Sequence, residues 1–399
     1  MLFDKFQDMA NFQRELAQRE VKPFGAVTEQ ILSATEGVVE GRRVILAGTN
    51  NYLGLSYDER CIRAAQEAAA RWGTGTTGSR LANGSFAEHE ALEHEIADFY
   101  GVDHGIVFST GYAATMGMCS TLAGPGDVIL LDADSHASIY AGVTLSGADI
   151  IRFKHNDPDN LAVRLRRLGD RADRALIIAE GIYSMYGDIA PLREIAAVKR
   201  EYGGYLFLDE AHSLGTLGET GRGAAQAAGV EADVDFFAGT FSKSLGAVGG
   251  FCVSRHPELE TIRFCIRAYI FTASSSPSVI ASTREALRII RAEPALREKL
   301  WENAHRLYHG LAGLGLPVGP APSPVVAVEL EDRGATIDCW KALMEAGVYV
   351  NLVVPPASPS GNYLLRNSVS AAHSRTQIDA IVAAYAALVE NGLTASRTG

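Results

Sequence analysis

Seven short apolar runs, over 105–109, 128–132, 150–153, 175–180, 205–209, 236–239 and 249–254, are separated for the most part by segments with helical spacing. Helical spacing also covers 62–72 and 86–100 ahead of them. Strands that alternate with helices in this way are those of an α/β fold, a mainly parallel seven-stranded sheet covered by helices. Ligands of such sheets gather beyond the carboxyl ends of the strands. Asp132, Glu180 and Asp209 all stand at those ends. Near residue 294 the style changes to a long helix over 294–314, then strands over 325–330, 349–354 and 363–369 with helices between and after. The expected organisation is an N-terminal arm (1–57), a large domain (58–293) and a smaller C-terminal α+β domain (294–399).

The chain has 399 residues, a net charge of -11 and a pI near 5.4. That balance argues against generic nucleic-acid binding, which wants a basic face, so no nucleic-acid partner is expected. Five scattered cysteines without paired spacing argue against a structural metal site or a disulfide framework. The first twenty residues are too charged for a signal peptide, and no apolar run has the length of a membrane span, so a cytoplasmic location is expected. Leu2, Phe3, Phe6, Met9 and Leu16 fall near one helical face. That face suits packing on the protein's own domain or a partner subunit, or a contact with an acyl chain or the periphery of a membrane.

Lys243 lies among small and hydroxyl residues, GTFSKS at 239–244, thirty-four positions after Asp209 in the run DEAH. A strand-end carboxylate, a histidine three residues on and a downstream lysine make the constellation that pyridoxal 5'-phosphate (PLP) requires. The amine of Lys243 takes the aldehyde as a Schiff base, and Asp209 keeps the ring nitrogen protonated. The plain alternatives are an aspartate capping a turn and a surface lysine. Phe241, Leu245, Gly246 and Val248 around the lysine are apolar or small and argue against the second. A phosphate site is expected at Ser109-Thr110-Gly111-Tyr112, where a strand ends and a helix begins, with Thr240 and Ser242 adding hydroxyls. His136 could stack on the cofactor ring or simply cap a turn. Arg366, between leucines in a strand, suits a carboxylate or a structural ion pair. GTGTTG at 73–78 follows a helix rather than a strand, and HEALEH at 89–94 spaces its histidines too far apart for a zinc helix. Neither carries a function.

The runs TNNYLGL (49–55), GTTGSR (75–80), FSTGY (108–112), DADSHAS (132–138), EGIYSM (180–185), DEAHS (209–213), GTFSKS (239–244) and PPASP (355–359) span nearly the whole chain. Together they resemble the α-oxoamine synthases, PLP enzymes of fold type I that join an amino acid to an acyl thioester and release CO₂. SRLANG (79–84), IYSMYGDIAP (182–191) and YIFTAS (269–274) are most similar to the bacterial branch that condenses L-serine with a long-chain acyl thioester, on coenzyme A or an acyl carrier protein, to open sphingolipid synthesis. The resemblance implies roles for particular residues. Lys243, Asp209, His136 and His212 would be catalytic and would hold the cofactor. Gly111, Tyr112, Thr240 and Ser242 would lie by the phosphate, and Ser184 would line the site. Asn51, Ser79 and Arg366 would meet the substrate. Thr272 and Ala273 would reach the phosphate of the other subunit of a homodimer. Two departures stand out: Val354 occupies a place where relatives commonly carry arginine, and Thr77 one where similar chains carry asparagine. Other oxoamine synthases (glycine, alanine or cysteate, or a shorter acyl donor) and a non-catalytic scaffold subunit remain as alternatives.

Overall fold

Each of the seven apolar runs is a strand, and four of them are buried along their full length. Strands covered on both faces by helices need apolar side chains at every position, so they read as continuous rather than alternating runs. The computed structural model describes residues 2–358 and 361–393. Pro359 of the proline-rich run and the last six positions of the expected C-terminal domain lie outside the described residues.

The chain opens with helix α1 (Gln7–Gln18) and a meander of three antiparallel strands, β1 (Thr28–Ile31), β2 (Glu36–Val39) and β3 (Arg42–Leu46). Helices α2 (Glu59–Trp72) and α3 (Ala87–Tyr100) follow. The large sheet is then built from β4 (His104–Phe108), β5 (Val128–Asp132), β6 (Asp149–Phe153), β7 (Leu176–Glu180), β8 (Tyr205–Asp209), β9 (Phe236–Thr240) and β10 (Gly250–Ser254). Its order is β4-β10-β9-β8-β7-β5-β6, with β10 alone antiparallel to its neighbours. The register sets Glu180 opposite Asp209 and Asp209 opposite Ala238, and aligns Gly250 with Thr240 and Phe108. One edge of the sheet thus gathers the ends of six strands and the turns that leave them. Those turns start helices α4 (Gly111–Leu122) after β4 and α5 (Ala137–Ser146) after β5.

The C-terminal part carries an antiparallel sheet in the order β11-β14-β13, from β11 (Val325–Leu330), β13 (Asn351–Val353) and β14 (Tyr363–Ser368), beside the helices Ala295–Gly313, Arg333–Glu345 and Arg375–Glu390. The single strand expected over 349–354 is two. Strand β12 (Val348–Tyr349) leaves to pair in parallel with β3, and the carbonyl of Val350 between the two strands is taken by Trp340 Nε1 at 2.9 Å. The β1–β3 meander was absent from the sequence reading. Its strands carry charged and exposed residues, so the alternation that marks a half-buried strand is faint there.

Helix α1 buries Phe12 and Leu16, whereas its Met9 and, ahead of it, Leu2, Phe3 and Phe6 are between 55% and 74% exposed. The apolar face expected from its spacing is therefore covered only at its C-terminal end. There Arg19 pairs with Asp338 and Glu15 with Arg333, both at 2.6 Å. No helix among the described residues is long and apolar enough to cross a membrane.

Candidate active site

A cavity of about 300 Å³ opens at the carboxyl edge of the large sheet. Lys243, Asp209, His136, His212, Gly111, Tyr112, Thr240 and Ser242, all singled out from the sequence, line it together. Residues up to 132 positions apart in the chain meet here because each ends a strand or starts the turn after one.

Asp209 closes β8 and is 5% exposed. Its two carboxylate oxygens accept from the Ala211 amide (2.9 Å) and Thr115 Oγ1 (3.1 Å), so the group is aimed by both a turn and a neighbouring helix. Thr115 was not foreseen; it lies four positions after Gly111 on α4 and so faces the same way. His212 is buried, and Tyr52 Oη meets its Nδ1 at 2.7 Å. Burial, reinforced by the charges of Lys243 and Arg366, drives the His212 imidazole well below its usual range, so it stands neutral. His136 caps α5: its Nδ1 accepts from the Ser138 amide at 3.2 Å and lies 2.7 Å from Ser138 Oγ. A neutral ring held in that way carries its proton on Nε2. Its own amide donates to Glu180 Oε1 at 2.5 Å. Burial and repulsion from Asp209 push the Glu180 carboxyl well above its usual range.

Lys243 opens onto the cavity and is otherwise surrounded by protein. Burial lowers its amine from 10.5 to about 8, against the opposing pull of Asp209 and Glu180. Two consequences follow for the cofactor-free protein. Between pH 8 and 10.5 the unfolded chain holds a proton that the folded chain has lost, so this group adds stability as pH rises through that window, and its penalty is felt below 8. Covalent capture of an aldehyde should likewise rise with pH about a midpoint near 8, read by stopped-flow absorbance; a midpoint at 10.5 would mean that burial does not act on the amine.

The start of α4 forms an anion cradle. Thr110 caps it, accepting from the Ala113 amide at 3.0 Å, and the first-turn amides of Gly111 and Tyr112 have no acceptor within the helix by position. Backbone crowds this corner. A Cβ on Gly111 would stand 2.6 Å from Thr240 Cβ, and one on Gly250 would stand 2.6 Å from Gly111 Cα. Only glycine lets β4, β9 and β10 converge there, which leaves backbone amides rather than side chains facing the cavity. Thr240 Oγ1 and Ser242 Oγ sit 2.9 Å apart beside it.

Arg366 is 5% exposed in β14. Its Nε donates to the Ser184 carbonyl (2.6 Å), and its Nη1 to Ser368 Oγ (2.9 Å) and Asn50 Oδ1 (3.2 Å). Ser184 thus enters through its backbone. Asn51, expected near the substrate carboxylate, accepts from the Ser56 amide (3.3 Å) and donates to the Ala34 carbonyl (3.5 Å), and its neighbour Asn50 accepts from Arg366.

Thr272 and Ala273 do not reach the cavity of their own chain. They line a separate cleft with Arg80 and Tyr269. The loop with Ser79 is tied to that cleft: the Ser274 amide donates to the Gly78 carbonyl (3.0 Å), and Ser274 Oγ meets Thr76 Oγ1 at 2.6 Å. Arg80 there forms a buried ion pair with Glu93 at 2.7 Å. Thr77 takes a left-handed backbone (φ 54°), a conformation that suits asparagine better than a β-branched residue.

An amine of lowered pKa, a fixed buried carboxylate and an anion cradle of backbone amides flanked by two hydroxyls, all on one small cavity, fit PLP. The family profile of class I and II aminotransferases matches residues 42–384. The chain belongs to the PLP-dependent α-oxoamine synthases, within that family. This oxoamine synthase is 56% identical over 384 residues to a serine palmitoyltransferase of Caulobacter vibrioides, covering 96% of this chain and 95% of the relative. A solved structure of the Sphingomonas wittichii serine palmitoyltransferase is 46% identical, with a TM-score of 0.96 over 99% of this chain and 100% of that one. A structure of serine palmitoyltransferase with PLP covers 98% of this oxoamine synthase and 100% of that chain, at 45% identity and a TM-score of 0.95. A Francisella tularensis 8-amino-7-oxononanoate synthase structure is more distant, 26% identical with a TM-score of 0.74 over 88% of this chain and 98% of that one.

Proposed function

We propose that this enzyme condenses L-serine with a long-chain acyl thioester, on coenzyme A or an acyl carrier protein, releasing CO₂ and the thiol and leaving 3-oxosphinganine or a close homologue. The single observation that carries the reading is the convergence of Lys243, Asp209, His136 and the α4 cradle on one cavity, in a chain 56% identical to a serine palmitoyltransferase.

When bound here, PLP supplies a covalent hold on the amino group and an electron sink for a carbanion at the α-carbon. The chain's own residues do the rest. Gly111, Tyr112, Thr240 and Ser242 would hold the phosphate, and Asp209, aimed by Thr115, would keep the ring nitrogen protonated. His212, steadied by Tyr52, would bond the ring hydroxyl. His136 would stack on the ring and has an Nε2–H to offer the reacting carbonyl oxygen. Burial favours the unprotonated Lys243 amine, so Nζ can take the α-proton of serine and later return one. Arg366 would receive the serine carboxylate and so orient the bonds at its α-carbon. Val354 offers no charge for that task.

Arg366→Ala should raise the serine KM by about a hundredfold, with a smaller change in kcat, since a charged hydrogen-bonding partner is worth about 1.5–3 kcal/mol. Steady-state kinetics with serine as the varied substrate check this; an unchanged KM would place the carboxylate elsewhere.

A homodimer in which Thr272, Ala273 and Ser79 complete the partner's site is part of the proposal. It is supported by Thr272 and Ala273 lining a cleft separate from their own chain's cavity. So is the division into an arm (1–57), a large domain (58–293) and a small domain (294–399), the arm being joined to the last through β12 and β3. The exposed Leu2, Phe3 and Phe6 suit a peripheral membrane contact of an otherwise cytoplasmic enzyme. Mass spectrometry of products from the holoenzyme, offered serine, glycine and alanine with palmitoyl and shorter thioesters, tests the central reading. A long-chain product from serine supports it, and exclusive use of another amino acid or a short donor overturns it.

A further inference from the structure

The loop after β6 presents a histidine that the proposed chemistry does not use. His155 Nδ1 lies 2.9 Å from Asp132 Oδ1, and its Nε2 lies 2.6 Å from Asp188 Oδ2. A neutral imidazole has one N–H and cannot donate to two carboxylates; the protonated ring can. Asn156 doubles the link, its amide donating to Asp132 Oδ2 (3.0 Å) and its Nδ2 to Asp188 Oδ2 (2.8 Å). Asp134 stands 3.9 Å from the same ring, and Tyr183 lies edge-on at 4.5 Å between centroids. Three carboxylates and one phenol face one cation, with no lysine or arginine paired to Asp132 or Asp188 among the described ion pairs.

The two carboxylates belong to the two segments that shape the candidate site. Asp132 ends β5 and begins the turn to His136. Asp188 closes the turn that starts at Ile182, where the Tyr183 amide donates to the Asp188 carbonyl at 2.9 Å and the Ser184 carbonyl receives Arg366.

We propose that His155 is a positioning residue: as a doubly protonated imidazolium between Asp132 and Asp188, it locks the turn carrying His136 to the turn carrying Ser184, and so fixes His136 and Arg366 relative to each other. Without it, three carboxylates would repel across the joint between those turns. Burial works against the charge, but the bonds to Asp132 and Asp188 outweigh it and raise the imidazolium to about 10. Its contribution to stability is therefore complete below pH 6.5 and is lost as pH rises through about 10. The inference rests on the reading of His136 and Arg366 given above, as groups facing cofactor and serine.

The test compares His155→Gln, which removes the charge, with His155→Arg, whose planar cation can bridge two carboxylates. Holoenzymes are read by serine KM, kcat and the visible circular dichroism of the bound chromophore, which reports how the ring is held. His155→Gln should raise serine KM about tenfold or more and weaken or invert the dichroism, and His155→Arg should recover most of both. A purely structural role would lower thermal stability and leave KM and dichroism alone; that result overturns the proposal. If His155→Gln does not fold, nitrogen-15 spectra of the wild-type imidazole decide. Two N–H signals persisting above pH 8 support the proposal, and titration near 6.5 overturns it. A wild-type enzyme inactive toward serine would sink the functional reading instead, while the imidazole spectra and the dichroism would still judge the clamp.

Discussion

A Lys243→Ala protein will fold, bind PLP only reversibly, and yield no condensation product. The substitution removes a side chain that borders the cavity, while the packing around it is carried by Phe241 and Leu245, which are 0% and 2% exposed. Packing should therefore change little, and below pH 8 the cofactor-free variant should gain stability, because the penalty of burying the charged amine is gone. The chemistry should not survive, because no other amine among the described residues lines the cavity. His136 and His212 cannot replace it: burial lowers the pKa of both, so they are poorer bases, and neither can hold the aldehyde as an imine. A positioned acid–base group alone accounts for about a hundredfold to ten-thousandfold in rate, and the covalent hold adds to that. Absorbance spectra before and after gel filtration report the loss of covalent cofactor, and product mass spectrometry reports the loss of turnover. Undiminished turnover would remove Lys243 from the mechanism.

Glu93→Ala should destabilise the fold by about 3–5 kcal/mol, the range for deleting one partner of a buried ion pair. Glu93 is 6% exposed on α3 and serves three donors at once: Arg80 Nη1 at 2.7 Å, Arg263 Nη1 at 3.3 Å and the Val107 amide at 2.9 Å. Its removal strands a buried guanidinium and a strand amide in a site where water does not reach them. The effect is also functional. Arg80 ends the loop that contains Thr77 and Ser79, and that loop is bonded to Ser274 beside Thr272 and Ala273. Loosening Glu93 thus loosens both segments proposed to complete the neighbouring subunit's site. Denaturant unfolding of wild type, Glu93→Ala and Glu93→Gln measures it. Gln keeps an acceptor for Val107 but no charge for Arg80, so its loss should be smaller than that of Ala. Equal stability of all three would show that the ion pair is compensated elsewhere.

The candidate site was legible in the sequence wherever a strand-end residue carries chemistry. Asp209, Lys243, Thr240 and Gly111 sit where apolar runs stop, and parallel strands bring such stops to one edge. Partners contributed sideways were not legible. Thr115 on α4, Tyr52 and Asn50 from the arm, and His155 beyond β6 reach the site or its supports through packing angles that no local pattern encodes. The bond from Arg366 to Asn50 is of the same kind. So is the split of the expected 349–354 strand, whose halves pair with β3 and β14 while Trp340 takes the Val350 carbonyl between them.

Local order of apolar, polar and glycine residues was enough to determine an α/β sheet with a lysine, a carboxylate and an anion site at its carboxyl edge. Strand ends and glycine turns are properties of a few consecutive residues, and the parallel pairing rule then brings them together. Which groups share protons and charge was decided only by the folded chain: the lowered amine of Lys243, the neutral His212, and His155 held between Asp132 and Asp188. The reason is that desolvation and Coulomb interactions depend on distance in space and on what excludes water, and neither quantity exists before the sheet has closed over its helices.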